Sequence, residues 1–260
     1  MKAKITIGAL ISGGGSNLQA ILDACRQGTI DGRVVAVGTD NPRAAGLQRT
    51  GKLGIETFVV DYGRIIRAYK DDPQGASLPA DFDGNRLAAR QNLVRGDESR
   101  VRAFLESRAL AEAQLLAALA PFAPDLLVLA GFMRTLTPYF IDHFNHDAAS
   151  PRIMNIHPAL LPAFPGVDGY GDTFRYGCKV AGCTVHFVDY GEDTGPIIAQ
   201  RAFPIEPGDT LKSVRRKGLQ QEWDVYPRCI QLYAQGRLSV VPPSSSDTGR
   251  SQVRIGPCPK

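Results

Sequence analysis

The chain has no long hydrophobic run, few cysteines and little excess charge, and each absence argues against a class of protein. Among its 260 residues, no apolar stretch reaches the roughly 18 residues that a membrane-spanning helix needs. The five cysteines are an odd number at irregular spacing, without a C-x-x-C pair or a histidine placed to complete a zinc site. We therefore expect no membrane partner and no metal, and a reducing compartment such as the cytoplasm.

The net charge of +4 is modest for a chain of this length. Nucleic-acid binding would require a concentrated basic face, so we expect small-molecule partners and no nucleic acid. Lys2 and Lys4 precede the apolar run Ile5 to Ile11, which faintly resembles a short signal peptide. Because this run passes directly into a glycine-rich turn, we predict a first strand instead. The composition leaves the oligomeric state open.

Short β-branched runs alternate with helical patterns along the chain, which is typical of βαβ units. Such units build an α/β fold with a doubly wound, mostly parallel sheet. We predict strands near residues 4–11, 33–39, 56–60, 125–130 and 152–156, and helices near 17–27, 43–53 and 100–121. Two more strands, 180–188 and 196–205, and a helix from about 209 to 235 predict a smaller C-terminal half on the same sheet.

These patterns predict a single domain over residues 1–241, with halves of about 1–130 and 131–241. Residues 62–99 are too long for a plain connection in a compact domain, so we interpret them as an insertion or a lid. From Pro242 onward the chain is rich in proline, serine and other polar residues, which predicts a disordered tail over 242–260.

Three residues carry side chains suited to catalysis. Asn155 and His157 lie two apart at the end of an apolar run, so an extended strand directs both to the same face. An amide and an imidazolium could hold an oxyanion, and the carboxylate of Asp193 could keep the histidine charged at neutral pH and take up a proton. Taken alone, the pair also fits a capping or core arrangement, and both interpretations stay open at this point.

The turn Ser12-Gly13-Gly14-Gly15-Ser16-Asn17 lies between the first predicted strand and the first helix. Unpaired N–H groups and the helix dipole make such a turn an anion site, and phosphate is its natural guest. Position 18 is leucine, so the G-x-G-x-x-G pattern fails, and no lysine completes a P-loop. The turn favours a simple phosphate monoester over a dinucleotide or ATP, and a glycine turn without a ligand is the alternative.

Four motifs together resemble one known family, the glycinamide ribonucleotide formyltransferases, and occur in that family's order. They are residues 11–19 around the glycine turn, Leu129-Ala130-Gly131-Phe132-Met133-Arg134, Asn155-Ile156-His157-Pro158 with the following Ala159 to Pro162, and Gly182-Cys183-Thr184-Val185-His186-Phe187-Val188. The resemblance spans most of residues 4–240 apart from the insertion. It implies transfer of a formyl group from 10-formyltetrahydrofolate to the amine of glycinamide ribonucleotide, in purine synthesis.

The resemblance also implies roles for individual residues. The matching catalytic positions are Asn155, His157 and Asp193. The phosphate of the substrate would be held by Gly15, Ser16 and Asn17. The ribose hydroxyls of the substrate would be held by Glu222. The glutamate tail of the folate would contact Arg108. The pterin ring would lie against Asn155, loop 189–193 and the segment formed by Met133, Arg134, Thr135 and Leu136.

The chain departs from the family in two places. Val167 to Tyr170 stand where several members carry histidines or an asparagine, which leaves the contacts near the glycinamide open. The insertion before Arg108 is unusual, and we expect it to fold over the folate entrance. His186, in a predicted strand, is interpreted as a hydrogen-bonded structural histidine and not as a proton shuttle.

Three other functions compete with amine formylation. Formyltetrahydrofolate deformylase shares the Asn, His and Asp pattern and uses water, but it carries a regulatory domain before the catalytic one. Methionyl-tRNA formyltransferase usually has an arginine where this chain has Pro165, and a basic C-terminal domain. A catalytically idle protein could keep the fold and both pockets, although the intact catalytic residues argue against it.

Overall fold

The computed structural model describes residues 4–51, 53–145, 147, 150–243 and 250–257. Its strands are β1 (Ile5–Ile11), β2 (Gly32–Thr39), β3 (Glu56–Val59), β4 (Leu126–Leu129), β5 (Ile153–His157), β6 (Val180–Phe187), β7 (Ile197–Pro204), β8 (Leu238–Val241) and β9 (Gln252–Ile255). Its α-helices are α1 (Ser16–Gln27), α2 (Leu47–Gly51), α3 (Tyr62–Asp71), α4 (Gly84–Arg90), α5 (Glu98–Leu119), α6 (Pro138–Asn145), α7 (Gly169–Tyr176) and α8 (Leu211–Ala234). None of the helices described is both long and apolar enough to cross a membrane.

Seven strands form the central sheet, in the order β3-β2-β1-β4-β5-β6-β7. The first five run parallel, and β6 and β7 are antiparallel to their neighbours. The predicted α/β fold with a doubly wound, mostly parallel sheet is therefore confirmed, as is the placement of the two C-terminal strands on the same sheet. The strand order reverses beside β1, so the carboxyl ends of β1, β4 and β5 meet at one edge, where ligands bind in such folds.

Helices cover both faces of the sheet. In β1, Ile7 and Ile11 pack toward α1 and α8, whereas Leu10 points to the opposite layer that contains α5 and α6. This alternation follows from the two-residue period of a strand. Because apolar side chains leave both faces, β4 is fully buried and β1 is buried over its last five residues, which explains their near-continuous hydrophobic sequence.

The predicted insertion, residues 62–99, folds into two helices of its own before α5 begins. Asp61, Asp83 and Asp97 each accept a hydrogen bond from the backbone N–H three residues later and so cap α3, α4 and α5. Tyr62 and Tyr69 of α3 lie on one helical face and are buried, which is a helical period that the sequence contains. The insertion packs on α5 and α6.

The prediction of a disordered tail over 242–260 is wrong for residues 252–255, which form β9 and pair antiparallel with β8. Val253 alternates with exposed neighbours and packs on the main core beside Leu238 and Val240. The strand therefore gains apolar contacts that the serine-rich stretch before it could not supply. Residues 244–249 and 258–260 of the predicted tail lie outside the described residues.

Candidate active site

The structure brings together the three residues predicted to be catalytic. Asn155 and His157 lie two apart on β5, at the carboxyl end of the strand. Nδ1 of His157 is 3.1 Å from Oδ2 of Asp193, which belongs to the loop between β6 and β7. The side chain of His157 is 3% exposed and that of Asp193 is 11% exposed. Little water therefore competes for this contact.

The loop geometry at Asp193 is unusual. Its φ of 53° lies in the left-handed region, which is unfavourable for a residue with a Cβ. The backbone N–H of Gly166 donates to Oδ2 of Asp193 at 2.9 Å, so the carboxylate is held by a second segment of the chain. Such conformations persist where surrounding contacts fix them, and they cluster at functional sites.

The hydrogen bonds of His157 define the role of each ring nitrogen. Nε2 lies 2.8 Å from the carbonyl oxygen of Phe164, and a carbonyl can only accept, so Nε2 carries a hydrogen. Burial lowers the pKa of His157 below its ordinary value, and the charge of Asp193 and the carbonyl of Phe164 oppose this effect without reversing it. Asp193 therefore raises the pKa of His157, as expected, but burial outweighs this effect, so the expectation that the histidine is charged at neutral pH is wrong.

The pKa of Asp193 is also lowered, although burial alone would raise it. Burial raises the pKa of the carboxyl, but hydrogen bonding from His186, the charge of His157 and the N–H of Gly166 together bring it below its ordinary value. Asp193 is therefore ionised at neutral pH and is a proton acceptor.

His186, which the sequence indicates is a structural histidine, lies in the site. Its Nδ1 is 2.8 Å from the carbonyl oxygen of Phe187 and must donate to it. Its Nε2 is 3.2 Å from the amide nitrogen of Asn155 and 3.5 Å from Oδ1 of Asp193. The ring is buried and hydrogen-bonded, as the interpretation stated, and its partners are two predicted catalytic residues. Its register opposite Asn155 in the β5–β6 pair brings them together, and only strand pairing could have revealed this.

A cleft of about 560 Å³ opens at this edge of the sheet. The residues predicted to bind the two substrates, except Arg108, share it with the three catalytic candidates. Its walls include Gly13 to Asn17, Leu129 to Leu136, Gly166 to Asp168 with Tyr170, Gly191 to Asp193, and Glu222 of α8. No described residue of the insertion lines it, and the expectation that the insertion folds over the folate entrance stays a prediction. The insertion packs behind loop 189–193.

One end of the cleft is the N-terminus of α1. Gly15 precedes the helix with a φ of 66°, and a Cβ there would lie 3.0 Å from the Cα of Gly46. Only glycine fits this close approach without strain. Added Cβ atoms at Gly13 and Gly14 would meet nothing within 4 Å, so the backbone there faces open space. The first N–H groups of α1 are therefore available to an anion in the cleft.

Glu222 lies beside this helix terminus and is 5% exposed. It accepts hydrogen bonds from Nδ2 of Asn17 at 2.6 Å and from the hydroxyl of Tyr170 at 2.7 Å. Burial raises the pKa of Glu222, against the lowering effect of both donors. Tyr170 is a contact that the sequence did not predict. Its ring occupies the space that a Cβ on Gly218 would need, with its Cζ 2.1 Å away, so the α8 glycine admits the tyrosine.

The other end of the cleft contains the segment predicted to hold the folate. Met133 is exposed, and its N–H donates to Oγ of Ser12 at 2.8 Å, which ties the segment to the glycine turn. Nε of Arg134 is 2.5 Å from Oδ2 of Asp40, so its guanidinium is engaged at the end of β2. Thr135 and Leu136 also line the cleft. Arg108 does not, because its guanidinium lies 3.9 Å from the ring centre of Phe104, and its contact with a folate tail stays a prediction.

The segment ends at a buried carboxyl group. Glu112 of α5 is fully buried and accepts hydrogen bonds from the N–H of Thr137 at 2.7 Å and from its hydroxyl at 2.5 Å. Burial raises the pKa of Glu112 to about 7. The anchor of the predicted folate segment thus changes charge near neutral pH. In the described ranges, no three His, Cys, Asp or Glu side chains are grouped as metal ligands.

Comparisons with known proteins agree with this architecture. The formyl transferase family model matches residues 5–230. The phosphoribosylglycinamide formyltransferase of Escherichia coli strain K12 is 33% identical over 236 residues, which cover 91% of this chain and 90% of the relative. The enzyme of that name from Bacillus subtilis is 34% identical over 220 residues, 85% of this chain and 90% of the relative. The crystal structure of glycinamide ribonucleotide transformylase 1 from Symbiobacterium toebii is 38% identical, with a TM-score of 0.73 and coverage of 99% of this chain and 96% of that one.

Replacing Asp193 with asparagine tests the coupling at the centre of the site. The carboxylate raises the pKa of His157 against burial, so Asp193→Asn removes that effect and the histidine pKa falls further. The measurement is an NMR titration of the His157 ring in both proteins, with His143, which is paired with Asp81 outside the cleft, as the internal reference. An unchanged His157 titration would show that the two groups are not coupled.

Glu112 predicts a pH-dependent stability. A folded pKa raised from 4.5 to about 7 means that its contribution is fully present below pH 4.5 and is lost as the pH rises through 7. The shift corresponds to roughly 3 kcal/mol at most. We expect the free energy of unfolding of the wild type, relative to Glu112→Gln, to fall between pH 5 and pH 8 in urea titrations. A difference independent of pH would contradict this assignment.

Proposed function

The chain belongs to the formyl transferase family, and within it to the phosphoribosylglycinamide formyltransferases of purine biosynthesis; we propose that it transfers the formyl group of 10-formyltetrahydrofolate to the amine of glycinamide ribonucleotide. One observation carries the proposal. Asn155, His157 and Asp193 share a single cleft with an anion-binding helix terminus and with the segment 131–136. Two substrates can therefore meet at the catalytic side chains.

Glycinamide ribonucleotide binds by its phosphate at the N-terminus of α1 in this proposal. The N–H groups of Gly15, Ser16 and Asn17 donate to the phosphate oxygens, and the helix dipole favours the negative charge. Glu222, already oriented by Asn17 and Tyr170, accepts from the ribose hydroxyls. Its carboxyl oxygens are fixed before the substrate arrives, which lowers the entropic cost of binding.

The formyl-folate occupies the other end of the cleft. The backbone of Met133 to Leu136 and loop residues Gly191 to Asp193 flank the pterin ring, with Asn155 at its inner side. The backbone is suited to this role because Ser12 and Glu112 hold the segment at its two ends. The glutamate tail then leaves the cleft toward Arg108, whose side chain is half-buried on α5.

The reaction follows from the donors around the formyl carbon. The substrate amine attacks this carbon, and the carbonyl oxygen becomes an oxyanion that needs hydrogen-bond donors. The amide of Asn155 is one donor. Nε2 of His157 is the other: it already carries a hydrogen for the carbonyl of Phe164, and it exchanges that acceptor for the oxyanion.

Proton transfer completes the reaction. The amine nitrogen loses a proton and the folate N10 gains one as the bond between N10 and the formyl carbon breaks. Asp193 is ionised and touches His157, so it takes up the amine proton and returns it to N10, directly or through water. Because burial disfavours a charged His157, the ring stabilises the oxyanion through the hydrogen that Nε2 already carries and takes up no further proton.

This chemistry uses small-molecule substrates and side chains only, without a metal, a membrane or a nucleic acid. We place it in the cytoplasm, where reduced folates and thiols coexist.

The direct test mixes pure protein with 10-formyltetrahydrofolate, with and without glycinamide ribonucleotide. Formation of tetrahydrofolate that depends on the ribonucleotide is the expected result, together with formylated ribonucleotide in equal amount. Turnover that proceeds without the ribonucleotide would identify a deformylase and contradict the proposal. Binding without turnover would identify an idle ligand-binding protein.

Asn155→Ala and His157→Ala test the two oxyanion donors. Losing one such donor typically lowers the rate roughly 100- to 1000-fold, so each variant should lose at least that much kcat with an unchanged circular dichroism spectrum. His143→Ala, a histidine outside the cleft, is the matched control and should keep wild-type turnover. Near-native kcat in either cleft variant would refute the assignment.

A further inference from the structure

The insertion contacts the catalytic loop from the side opposite the cleft. Loop residues Gly191, Glu192 and Asp193 line the cleft, whereas the neighbouring Tyr190 faces the other way, toward α4 and α6. The side chain of Tyr190 is thus available to the end of α4, which belongs to the insertion.

Arg90, the last residue of α4, makes a closed network with Tyr190 and with Asp142 of α6. Its guanidinium donates to both carboxylate oxygens of Asp142 and to the hydroxyl of Tyr190. That hydroxyl in turn donates to Oδ1 of Asp142 at 2.6 Å. The guanidinium carbon also lies 4.5 Å from the ring centre of Tyr190. Each of the three side chains therefore contacts the other two.

Backbone contacts reinforce the network directly after α4. The N–H of Asn92 donates to the carbonyl oxygen of Tyr190 at 2.8 Å, and Asn92 forms a parallel bridge with Gly191. Gln91 holds this turn rigid, since its side-chain oxygen accepts from the N–H groups of Leu93 at 2.7 Å and Val94 at 2.9 Å. The insertion thus contacts both the backbone and a side chain of loop 189–193.

The loop needs such support because Asp193, three residues after Tyr190, has a left-handed backbone. A conformation of this kind persists only where its surroundings over-determine it. On the cleft side the N–H of Gly166 holds the carboxylate, and within the loop Asp189 accepts from the hydroxyl of Thr194 at 2.5 Å. Arg90 and Asn92 supply the contacts on the outer side.

We propose that Arg90 is a positioning residue for catalysis: through Tyr190 it fixes the loop so that the carboxylate of Asp193 stays at Nδ1 of His157. The insertion is then a brace behind the catalytic loop and not a lid over the cleft. Burial and the carboxylate of Asp142 raise the pKa of Tyr190 to about 12, so the hydroxyl keeps its proton throughout the range in which the enzyme would be assayed. The proposal rests on the role proposed above for Asp193.

Two substitutions loosen the brace in different ways. Arg90→Ala removes the guanidinium, and Tyr190→Phe removes only the hydroxyl while keeping the ring. Sub-ångström to ångström displacement of a catalytic group costs up to roughly 100-fold in rate, so we expect kcat to fall about 10- to 100-fold in Arg90→Ala, with the KM for glycinamide ribonucleotide within about threefold of wild type. The double variant should lose no more than the larger single loss, because both act through one network.

The pH profile separates positioning from a general loss of structure. A loosened Asp193 raises the pKa of His157 less, so the inflection of His157 in kcat/KM should move to lower pH in Arg90→Ala. Arg90→Lys, which keeps the charge but not the two-pronged geometry, should restore part of kcat and part of the pH shift. A purely structural role would lower the amount of active enzyme and leave the inflection in place.

Arg86→Ala is the matched control. Arg86 lies one turn earlier on the same helix, 3.7 Å from Asp142, with a side chain that is 64% exposed, and within the described residues it makes no hydrogen bond to Tyr190. Its loss should change kcat by less than about twofold. Equal losses in Arg86→Ala and Arg90→Ala would attribute the effect to local charge and overturn the proposal.

Wild-type kcat and an unmoved pH inflection in Arg90→Ala would also overturn it, as would strictly additive losses in the double variant. Should Arg90→Ala fail to fold, Tyr190→Phe decides alone: an unchanged kcat there contradicts the brace. Wild-type protein is assayed in parallel. If the wild type does not transfer formyl groups, the proposed function fails, whereas an active wild type with an unaffected Tyr190→Phe contradicts the brace alone.

Discussion

The contact between His157 and Asp193 joins the central sheet to the loop between β6 and β7. His157 lies at the end of a parallel strand in the middle of the sheet, and its position follows from strand pairing and burial on both faces. Asp193 belongs to a loop with a strained backbone that is held by a hydrogen bond from Gly166 and, from behind, by the insertion. The geometry of the proposed catalytic site thus depends on the position of this loop relative to the sheet.

Burial gives this contact its chemical character. With His157 almost completely shielded, desolvation opposes the imidazolium and the carboxylate partly compensates. In such a shielded site a hydrogen-bond donor stabilises the oxyanion of formyl transfer more strongly than it would in water. The end of the cleft at α1 is built in a similar way, because Glu222 is buried and yet receives two hydrogen bonds, which orient it for the ribose in the proposed function.

The sequence was informative where periodicity determines position. The two-residue period of β5 predicts that Asn155 and His157 share a face, and the glycine turn before α1 predicts an exposed helix terminus. The chemistry of a carboxylate made Asp193 a candidate, but no local pattern places a loop carboxylate beside a strand, so its position next to His157 could not be predicted from periodicity. The contacts of Tyr170 and His186 depend on packing between elements that are distant in sequence, α7 on α8 and β6 on β5. No short stretch of sequence predicts such contacts. In the insertion, the spacing of the two α3 tyrosines is a helical signal, but nearby proline and glycine favour a loop. The last strand follows a serine-rich stretch, which favours disorder.

In the proposed function, one cleft holds both substrates against Asn155, His157 and Asp193. The decisive measurement is a crystal structure with glycinamide ribonucleotide and a folate analogue that cannot transfer its one-carbon group. We expect phosphate oxygens at hydrogen-bond distance, about 2.7–3.2 Å, from the N–H groups of Gly15 to Asn17. We also expect the amine nitrogen roughly 3–3.5 Å from the carbon that mimics the formyl group, with Asn155 and His157 donating to its oxygen. A phosphate bound away from the α1 terminus, or an amine directed away from His157, would contradict the proposed function.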